Sequence, residues 1–283
     1  MKLSILIPTY NYDPSQLVSQ LQKQLPEDAE IIVGDDSPPH TLGRAARRNA
    51  LAREAKGEWL LFIDSDAEVR SNTFIQRYMD VAFTTDANVT NVVPAYQVIC
   101  GGTGNLSECP RPQARLRYDY EVKAEKRLTL AQRQKHPYIG FTTFNFLIQR
   151  NLFLSILFDE RLKEYGHEDT LFGLELKKRG INILHIDNKL THMGLEDADE
   201  YLQKTETALR SLALMPLEQQ ENVRVSALAL RLKRFCLQGF VRFVFKICKP
   251  FLRSNLLGKH PSQTLFAFYK LGYFVSQNQT SRG

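Results

Sequence analysis

The sequence predicts an α/β fold built on a Rossmann-like, doubly wound and mostly parallel sheet. Three short apolar runs alternate with helix-forming segments between residues 3 and 63. Short apolar runs bounded by turn residues are typical of strands buried on both faces. Their alternation with helices indicates parallel strands joined by crossover connections. The 283 residues, 43% of them hydrophobic, suffice for a sizeable core without disulfides or a structural metal.

The elements of the first half follow from local signals. Asp13 followed by Pro14 predicts the start of the first helix, and Gly57 predicts the end of the second. The predicted strands are Leu3–Ile7, Glu30–Gly34 and Trp59–Ile63, and the predicted helices are Pro14–Leu25, Leu42–Lys56 and Ser71–Phe83.

The second half is less regular and ends in a basic segment. Its predicted strands are Asn91–Ile99, Phe144–Gln149 and Ile181–Ile186, and its predicted helices are Arg115–Lys135, His167–Arg179 and Asp197–Ala213. We therefore expect one α/β domain over residues 1–215, with halves 1–100 and 101–215. A helical extension follows over residues 216–283.

Charge is unevenly distributed along the chain. Residues from Asn222 onward include 11 Lys or Arg and no Asp or Glu, which leaves 26 basic and 31 acidic residues, a net −5, before them. Such asymmetry predicts an anionic partner, either a membrane surface or nucleic acid. The four cysteines have no CxxC spacing, which indicates free thiols in a reducing compartment. We expect neither a signal peptide nor a transmembrane helix.

Polar residues follow each of the first three predicted strands. These segments are Pro8-Thr9-Tyr10-Asn11, Asp35-Asp36-Ser37 and Asp64-Ser65-Asp66. Each alone fits a turn or a helix cap, but ligands of open α/β sheets bind at the carboxyl ends of strands. The spacing of Asp64 and Asp66 suits a shared Mg²⁺ or Mn²⁺ ion whose shell is completed by phosphate oxygens.

The segments SILIPTYN, EIIVGDDSP and RRNALAREAKGEWLLFIDSDAEV resemble the N-terminal half of family 2 glycosyltransferases, which have the GT-A fold. The resemblance covers residues 3–70 and resumes at 140–150 and 164–180, whereas residues 84–139 and 210–283 match no pattern of the family. It implies an inverting, metal-dependent transfer of a sugar from a nucleotide-sugar, with UDP as the expected nucleotide. The expected acceptor is a glycan or a lipid-linked saccharide.

The same resemblance implies roles for individual residues. Asp66 would bind Mn²⁺ or Mg²⁺, and Asp64 would touch ribose or a metal-bound water. Arg48 would lie near the nucleotide, where it can donate a charge-assisted hydrogen bond to phosphate. The full set expected to bind the nucleotide-sugar is Pro8, Thr9, Tyr10, Asp36, Arg48, Asp64 and Ser65.

The second half is expected to supply the catalytic base. The resemblance assigns that role to Asp169, with Glu168 as a neighbour that binds the acceptor. The alternative is that both carboxylates only favour a helix N-terminus. His192 is either a second metal ligand or an ordinary loop histidine. Residues 140–146 either line the donor sugar and acceptor or form a turn that enters a strand.

The basic extension reads as one amphipathic helix. At 100° per residue, Arg231, Arg234, Arg242, Lys246 and Lys249 fall within an arc of about 120°, opposite an apolar face, and Pro250 is expected to end or kink the helix. This pattern predicts an anionic membrane surface as the partner of residues 231–253, at the inner, cytoplasmic face. The alternative is that the apolar face packs on the domain. Nucleic acid is not expected, because no recognition motif accompanies the charge.

Two other functions fit part of the pattern. A sugar-phosphate nucleotidyltransferase needs a glycine-rich, basic phosphate loop after the first strand, and Pro8-Thr9-Tyr10-Asn11 is not one. A non-catalytic nucleotide-sugar-binding module has no chemical need for both Asp66 and Asp169.

Overall fold

A computed structural model describes residues 1–38, 41–83, 96–161 and 166–277. The chain divides into two compact units. Unit 1 comprises Met1–Leu106, Glu125–Lys163 and Glu168–Gly194, and unit 2 comprises Ser107–Ala124, Glu164–His167 and Leu195–Gly283. The boundary expected at residue 215 therefore falls inside unit 2, and the division into domains stays a prediction.

All strands of the described residues lie in unit 1. They are β1 (Leu3–Thr9), β2 (Ala29–Asp35), β3 (Trp59–Ile63), β4 (Ala67–Glu68), β5 (Val98–Cys100), β6 (Thr103–Gly104), β7 (Asn145–Gln149), β8 (Ile183–His185) and β9 (Leu190–His192).

The helices are found in both units. They are α1 (Ser15–Gln22), α2 (Arg44–Glu54), α3 (Phe74–Phe83), α4 (Arg115–Arg127), α5 (Leu130–Lys135), α6 (Arg150–Ile156), α7 (Glu168–Lys178), α8 (Ala198–Leu214), α9 (Leu217–Gln220), α10 (Arg224–Arg234), α11 (Gln238–Leu256) and α12 (Gln263–Gln277), and a 3₁₀ turn spans Pro112–Ala114.

The main sheet has six strands in the order β2-β1-β3-β7-β5-β8. Strands β2, β1 and β3 are parallel, β7 is antiparallel to both of its neighbours, and β8 is parallel to β5. The expected α/β class with a mostly parallel sheet is confirmed. The antiparallel β7 is a feature that the strand–helix alternation of the first half did not contain.

Both faces of this sheet are apolar, as expected for strands that helices cover on each side. Along β3, Trp59 and Leu61 belong to the core on one face, and Leu60 and Phe62 belong to the core on the other. This alternation explains why the strand is a continuous apolar run rather than a polar–apolar repeat.

A small second sheet lies next to the carboxyl end of β3, in the order β4-β9-β6. It pairs Ala67 with His192 and Glu68 with Thr191. The pairing brings the residues that follow Asp64 against the strand that carries His192.

Several element boundaries differ from expectation. The charged segment expected as one helix over 115–135 is two helices, because Thr129 accepts a hydrogen bond from the Gln132 amide and starts α5. Of the strand expected at Asn91–Ile99, residues 91–95 lie outside the described residues, and β5 takes up its end.

The prediction of one amphipathic helix in the basic extension is wrong. Helix α10 ends at Arg234, Cys236 has a φ of 57°, and α11 begins at Gln238. Arg231 and Arg234 therefore do not continue the helical face of Arg242. Pro250 does not end α11, which runs on to Leu256. In the described parts of the chain, no helix combines the length and hydrophobicity needed to cross a bilayer.

Candidate active site

The ends of β1 and β2 are joined through Asp36. Its amide donates to the Thr9 carbonyl at 2.8 Å, and its buried carboxylate accepts the amides of Leu42 at 2.6 Å and Gly43 at 3.0 Å. Arg47 adds an ion pair at 3.5 Å. Asp36 therefore fixes the loop that leads into α2, and this sets the position of the helix relative to the strand ends.

The segment after β1 places two aromatic rings at the surface. Thr9 is buried, and its hydroxyl donates to the Tyr12 carbonyl. Tyr10 and Tyr12 are both exposed. Asn11 has a φ of 49°, and its amide donates to the Ser37 hydroxyl at 2.8 Å. Pro8 and Thr9 still pair in register with Gly34 and Asp35, so the turn begins where β1 ends, at Thr9.

Arg48 and Asp64 form a short ion pair at the carboxyl end of β3. The Arg48 Nη2 atom lies 2.6 Å from Asp64 Oδ1, and the guanidinium lies 5.7 Å from the Phe158 ring. Burial opposes the charge of Arg48, but the carboxylates of Asp64, Glu168 and Asp169 outweigh burial and raise its pKa. Among the residues that the structure describes, the buried Nε and Nη1 atoms of Arg48 have no hydrogen-bond partner. The site therefore holds a fixed positive charge with unused donors.

Asp66 and His192 face each other across the small sheet. The His192 Nε2 atom lies 3.1 Å from Asp66 Oδ2, and the Phe144 ring packs edge-on against the imidazole. Burial raises the pKa of Asp66, but the hydrogen bond and charge of His192 outweigh it and leave the pKa below its ordinary value. A Cβ atom on Gly194 would lie 2.2 Å from Asp66 Oδ2. Because Gly194 has no side chain, the Asp66 carboxylate can occupy this position.

The pair offers two of the donors that a divalent cation needs. A carboxylate oxygen and a neutral imidazole nitrogen are suitable ligands for Mn²⁺, and the carboxylate oxygen is also a suitable ligand for Mg²⁺. Among the described residues, no group of three or more His, Cys, Asp or Glu side chains is placed to hold a metal ion. The residues fit an ion whose remaining ligands come from phosphate and water. Ser65 lies between the two aspartates in the turn that the Ala67 amide closes on the Asp64 carbonyl at 3.2 Å.

Asp169 lies in the first turn of α7 against a pair of threonines. The Thr143 hydroxyl donates to Asp169 Oδ1 at 3.1 Å, and the Thr142 hydroxyl and Thr143 amide lie 3.5 Å from Oδ2. Burial and the neighbouring Glu168 carboxylate together raise the pKa of Asp169 to about 6, although the positive charge of Arg48 acts in the opposite direction. A carboxylate with a pKa near 6 can accept a proton near neutral pH.

The sequence did not predict several side-chain contacts of the site. Arg44 lies 3.7 Å from the buried Glu168 carboxylate. Asn49 is fully buried, binds the backbone of Phe158 through both its amide N and O atoms, and also donates to Glu160 at 2.8 Å. Asn49 stood in the recognised RRN segment, so its presence was visible although its partners were not. Thr143 lay in the 140–146 segment, where the pattern left a turn as an equal alternative.

Comparison with known proteins gives consistent matches. Residues 37–154 match the family model described as glycosyl transferase family 2. An uncharacterized glycosyltransferase, EpsJ of Bacillus subtilis (strain 168), is 25% identical over 245 residues, covering 71% of this chain and 67% of that protein. An uncharacterized glycosyltransferase of Haemophilus influenzae is 35% identical over 85 residues, covering 23% of this chain and 29% of that protein.

A solved structure shares the fold across the whole chain. It is the mannosyltransferase PcManGT from Pyrobaculum calidifontis in complex with GDP-Man and Mn²⁺, with a TM-score of 0.54 and 13% identity, covering 100% of this chain and 88% of that one.

Proposed function

The chain belongs to the family 2 glycosyltransferases and has their GT-A fold, and from that premise we propose a metal-dependent, inverting transfer of a sugar from a nucleotide-sugar to a hydroxyl group. The observation that carries the proposal is the grouping of Arg48, Asp64 and Asp169, whose charges act on one another at one end of the main sheet. A buried cation for a diphosphate and a carboxylate of raised pKa for a hydroxyl are the two groups that this reaction requires.

The donor side of the proposal uses the ends of β1 and β3. The exposed ring of Tyr10 offers a face for the nucleobase, and Pro8, Thr9 and Asp36 shape the turn around it. Asp64 and Ser65 would meet the ribose. Arg48 has buried donors to offer the diphosphate oxygens. A UDP-sugar is the donor expected from the sequence, and a GDP-sugar is the second candidate because the fold neighbour holds GDP-Man.

We propose that Asp66 and His192 hold Mn²⁺ or Mg²⁺ together with the donor diphosphate. The fold neighbour that contains Mn²⁺ supports this, as does the oxygen and nitrogen donor set. When bound, the ion would supply positive charge that stabilises the departing nucleoside diphosphate. Gly194 keeps space beside the Asp66 carboxylate for this role.

On the acceptor side, Asp169 acts as the base. The acceptor oxygen forms a bond to the anomeric carbon while the bond from that carbon to the diphosphate oxygen breaks. The hydroxyl proton passes to an Asp169 carboxylate oxygen. A single displacement inverts the anomeric centre. Glu168, held beside Arg44, would contact the acceptor, for which a glycan or lipid-linked saccharide remains the proposal.

We further propose that the enzyme works at the inner face of the membrane as a peripheral protein. The support is the charge of the C-terminal part, with 11 basic and no acidic residues from Asn222 onward. The cytoplasmic leaflet carries anionic lipids that attract such segments.

The test is product analysis with purified protein, Mn²⁺ and a panel of UDP- and GDP-sugars. We expect one donor to release a nucleoside diphosphate and its sugar to appear on the acceptor with inverted anomeric configuration. Asp66→Ala should lose donor binding. Release of pyrophosphate instead would identify a nucleotidyltransferase. Donor binding without turnover over a broad acceptor panel would support the non-catalytic module.

A further inference from the structure

Helix α11 carries an exposed row of large apolar side chains. Phe240, Phe243, Ile247 and Phe251 are 67%, 64%, 63% and 65% exposed. At 100° per residue they lie within an arc of about 80°, so they form one continuous stripe along the helix. Phe235, in the turn before α11, is 74% exposed. Contiguous exposed apolar surface of this kind marks an interaction site.

This row is not the face through which α11 packs in its own unit. The packing face consists of Phe245, Leu252 and Leu256, which are buried about 160° around the helix from the row. Helix α12 receives Phe245 at Gly272, where a Cβ atom would come within 2.4 Å of the phenylalanine ring. The helix therefore has two apolar faces, and among the described residues only the face of Phe245 is used for packing.

Positive charge accompanies the row. Lys246 on α11 and Arg231, Lys233 and Arg234 at the end of α10 are exposed. Arg253, further along α11, is instead paired with Asp199 of α8 at 2.8 Å. The segment from Asn222 onward contains no acidic residue that would neutralise the exposed cations.

We infer that the apolar row of α11 inserts into the interface of an anionic bilayer, with the exposed cations of α10 and α11 at the level of the lipid headgroups. Apolar side chains beside basic ones are the composition of helices that lie in a membrane interface. A second copy of the chain is a poorer occupant, since it would bring the same positive charge against itself. The inference gives the proposed membrane location its contact surface, and it does not depend on the transfer chemistry.

The position of the cations relative to the row differs from the one that the sequence indicated. A single helix would have placed Arg231 and Arg242 on one face. The break at Cys236 instead leaves the cations of α10 at the end of the row on α11. Insertion of the phenylalanines, and not charge alone, is therefore the specific content of the inference.

The first experiment measures sedimentation of the full chain with vesicles of phosphatidylcholine containing about one third phosphatidylglycerol. The triple variant Phe240→Ser, Phe243→Ser, Phe251→Ser keeps every charge, and we expect its partition coefficient to fall by ~100-fold. A second triple variant, which combines Lys233→Gln, Arg234→Gln and Lys246→Gln, should lose its binding to anionic vesicles and bind neutral vesicles as the wild type does. Leu214→Ser, which removes an equally exposed apolar side chain from α8, should bind as the wild type does.

A second experiment reads insertion directly and does not require the triple variant to fold. Trp59 is buried, so a tryptophan introduced by Phe243→Trp reports its own surroundings. Brominated lipids in the same anionic vesicles should quench Phe243→Trp and leave Leu214→Trp unquenched. Unchanged sedimentation of the triple variant, or equal quenching of the two tryptophans, would overturn the inference. So would a dimer that forms without lipid and is lost in the triple variant. Because no readout uses turnover, an inactive protein would leave these outcomes interpretable.

Discussion

The Thr143 hydroxyl donates the shortest hydrogen bond that the structure describes to Asp169, the proposed base. Removing this hydroxyl tests the role of Asp169 as a base without changing its carboxylate. Thr143→Val keeps the side-chain shape and deletes the donor that lies 3.1 Å from Asp169 Oδ1. A hydrogen bond stabilises the ionised carboxylate more than the protonated one, so its loss raises the pKa of Asp169 above the value of about 6. Turnover, which needs the ionised form, should then fall most at low pH.

The size of the effect follows from the remaining contacts. A hydrogen bond to a charged group contributes ~1.5–3 kcal/mol, which corresponds to ~1–2 pKa units. The Thr142 hydroxyl and the Thr143 amide, each 3.5 Å from Asp169 Oδ2, stay in place. We therefore expect the lower end, ~1 unit. Turnover should drop by ~5-fold near pH 6 and change little near pH 8.

The assay is the pH dependence of nucleoside diphosphate release, with Thr143→Ser as the matched control. Serine keeps the hydroxyl, so its acid limb should coincide with that of the wild type. An acid limb that stays in place in Thr143→Val, or that moves to lower pH, would refute the role assigned to Asp169. A uniform loss across the pH range, with the acid limb unmoved, would count against that role in the same way, because it reflects packing and not the pKa of Asp169.

Three further changes probe the surroundings of the site. Asp169→Asn should raise the Tm more at about pH 8 than at about pH 4. Burial disfavours the ionised carboxylate, so Asp169 destabilises the fold increasingly as the pH rises from its unfolded-state pKa through its folded-state pKa. An equal gain in Tm at both pH values would contradict the raised pKa. Asn49→Ala removes three hydrogen bonds and should lower the free energy of unfolding by ~2–4 kcal/mol. Urea titrations followed by the fluorescence of Trp59 measure this, with Asn222→Ala as the exposed control. Equal losses in the two variants would contradict the account. Gly194→Ala should displace the Asp66 carboxylate and weaken Mn²⁺-dependent donor binding by ~10-fold or more in calorimetry, and unchanged affinity would remove Asp66 from the metal site.

The N-terminal half of unit 1 was predictable because its signals are local. Each of the first three strands is a short apolar run that ends in polar residues, and the parallel arrangement brings those ends together. The sequence alone therefore predicts that Asp36 and Asp64 lie at the same edge of the sheet. Their present partners, the Leu42 amide and Arg48, depend on where α2 lies.

The rest depends on contacts between residues distant in sequence. Arg133 belonged to a segment that predicted one charged helix, yet it is buried and donates to backbone carbonyls including that of Ile186. The break between α10 and α11 occurs at Cys236 without a glycine or proline to mark it. The apolar row of α11 was expected on the face opposite the cations, but only packing on α12 decides which apolar side chains are buried.

The central claim is that Asp169 removes the acceptor proton in a direct displacement. The most direct measurement compares turnover and donor affinity in the nearly isosteric variant Asp169→Asn, with Thr143→Ser as a control at the same site. The account predicts donor affinity equal to that of the wild type and, at pH values above the Asp169 pKa of about 6, a turnover reduced by ~10²-fold or more. Turnover near that of the wild type, or loss of donor affinity in its place, would contradict it.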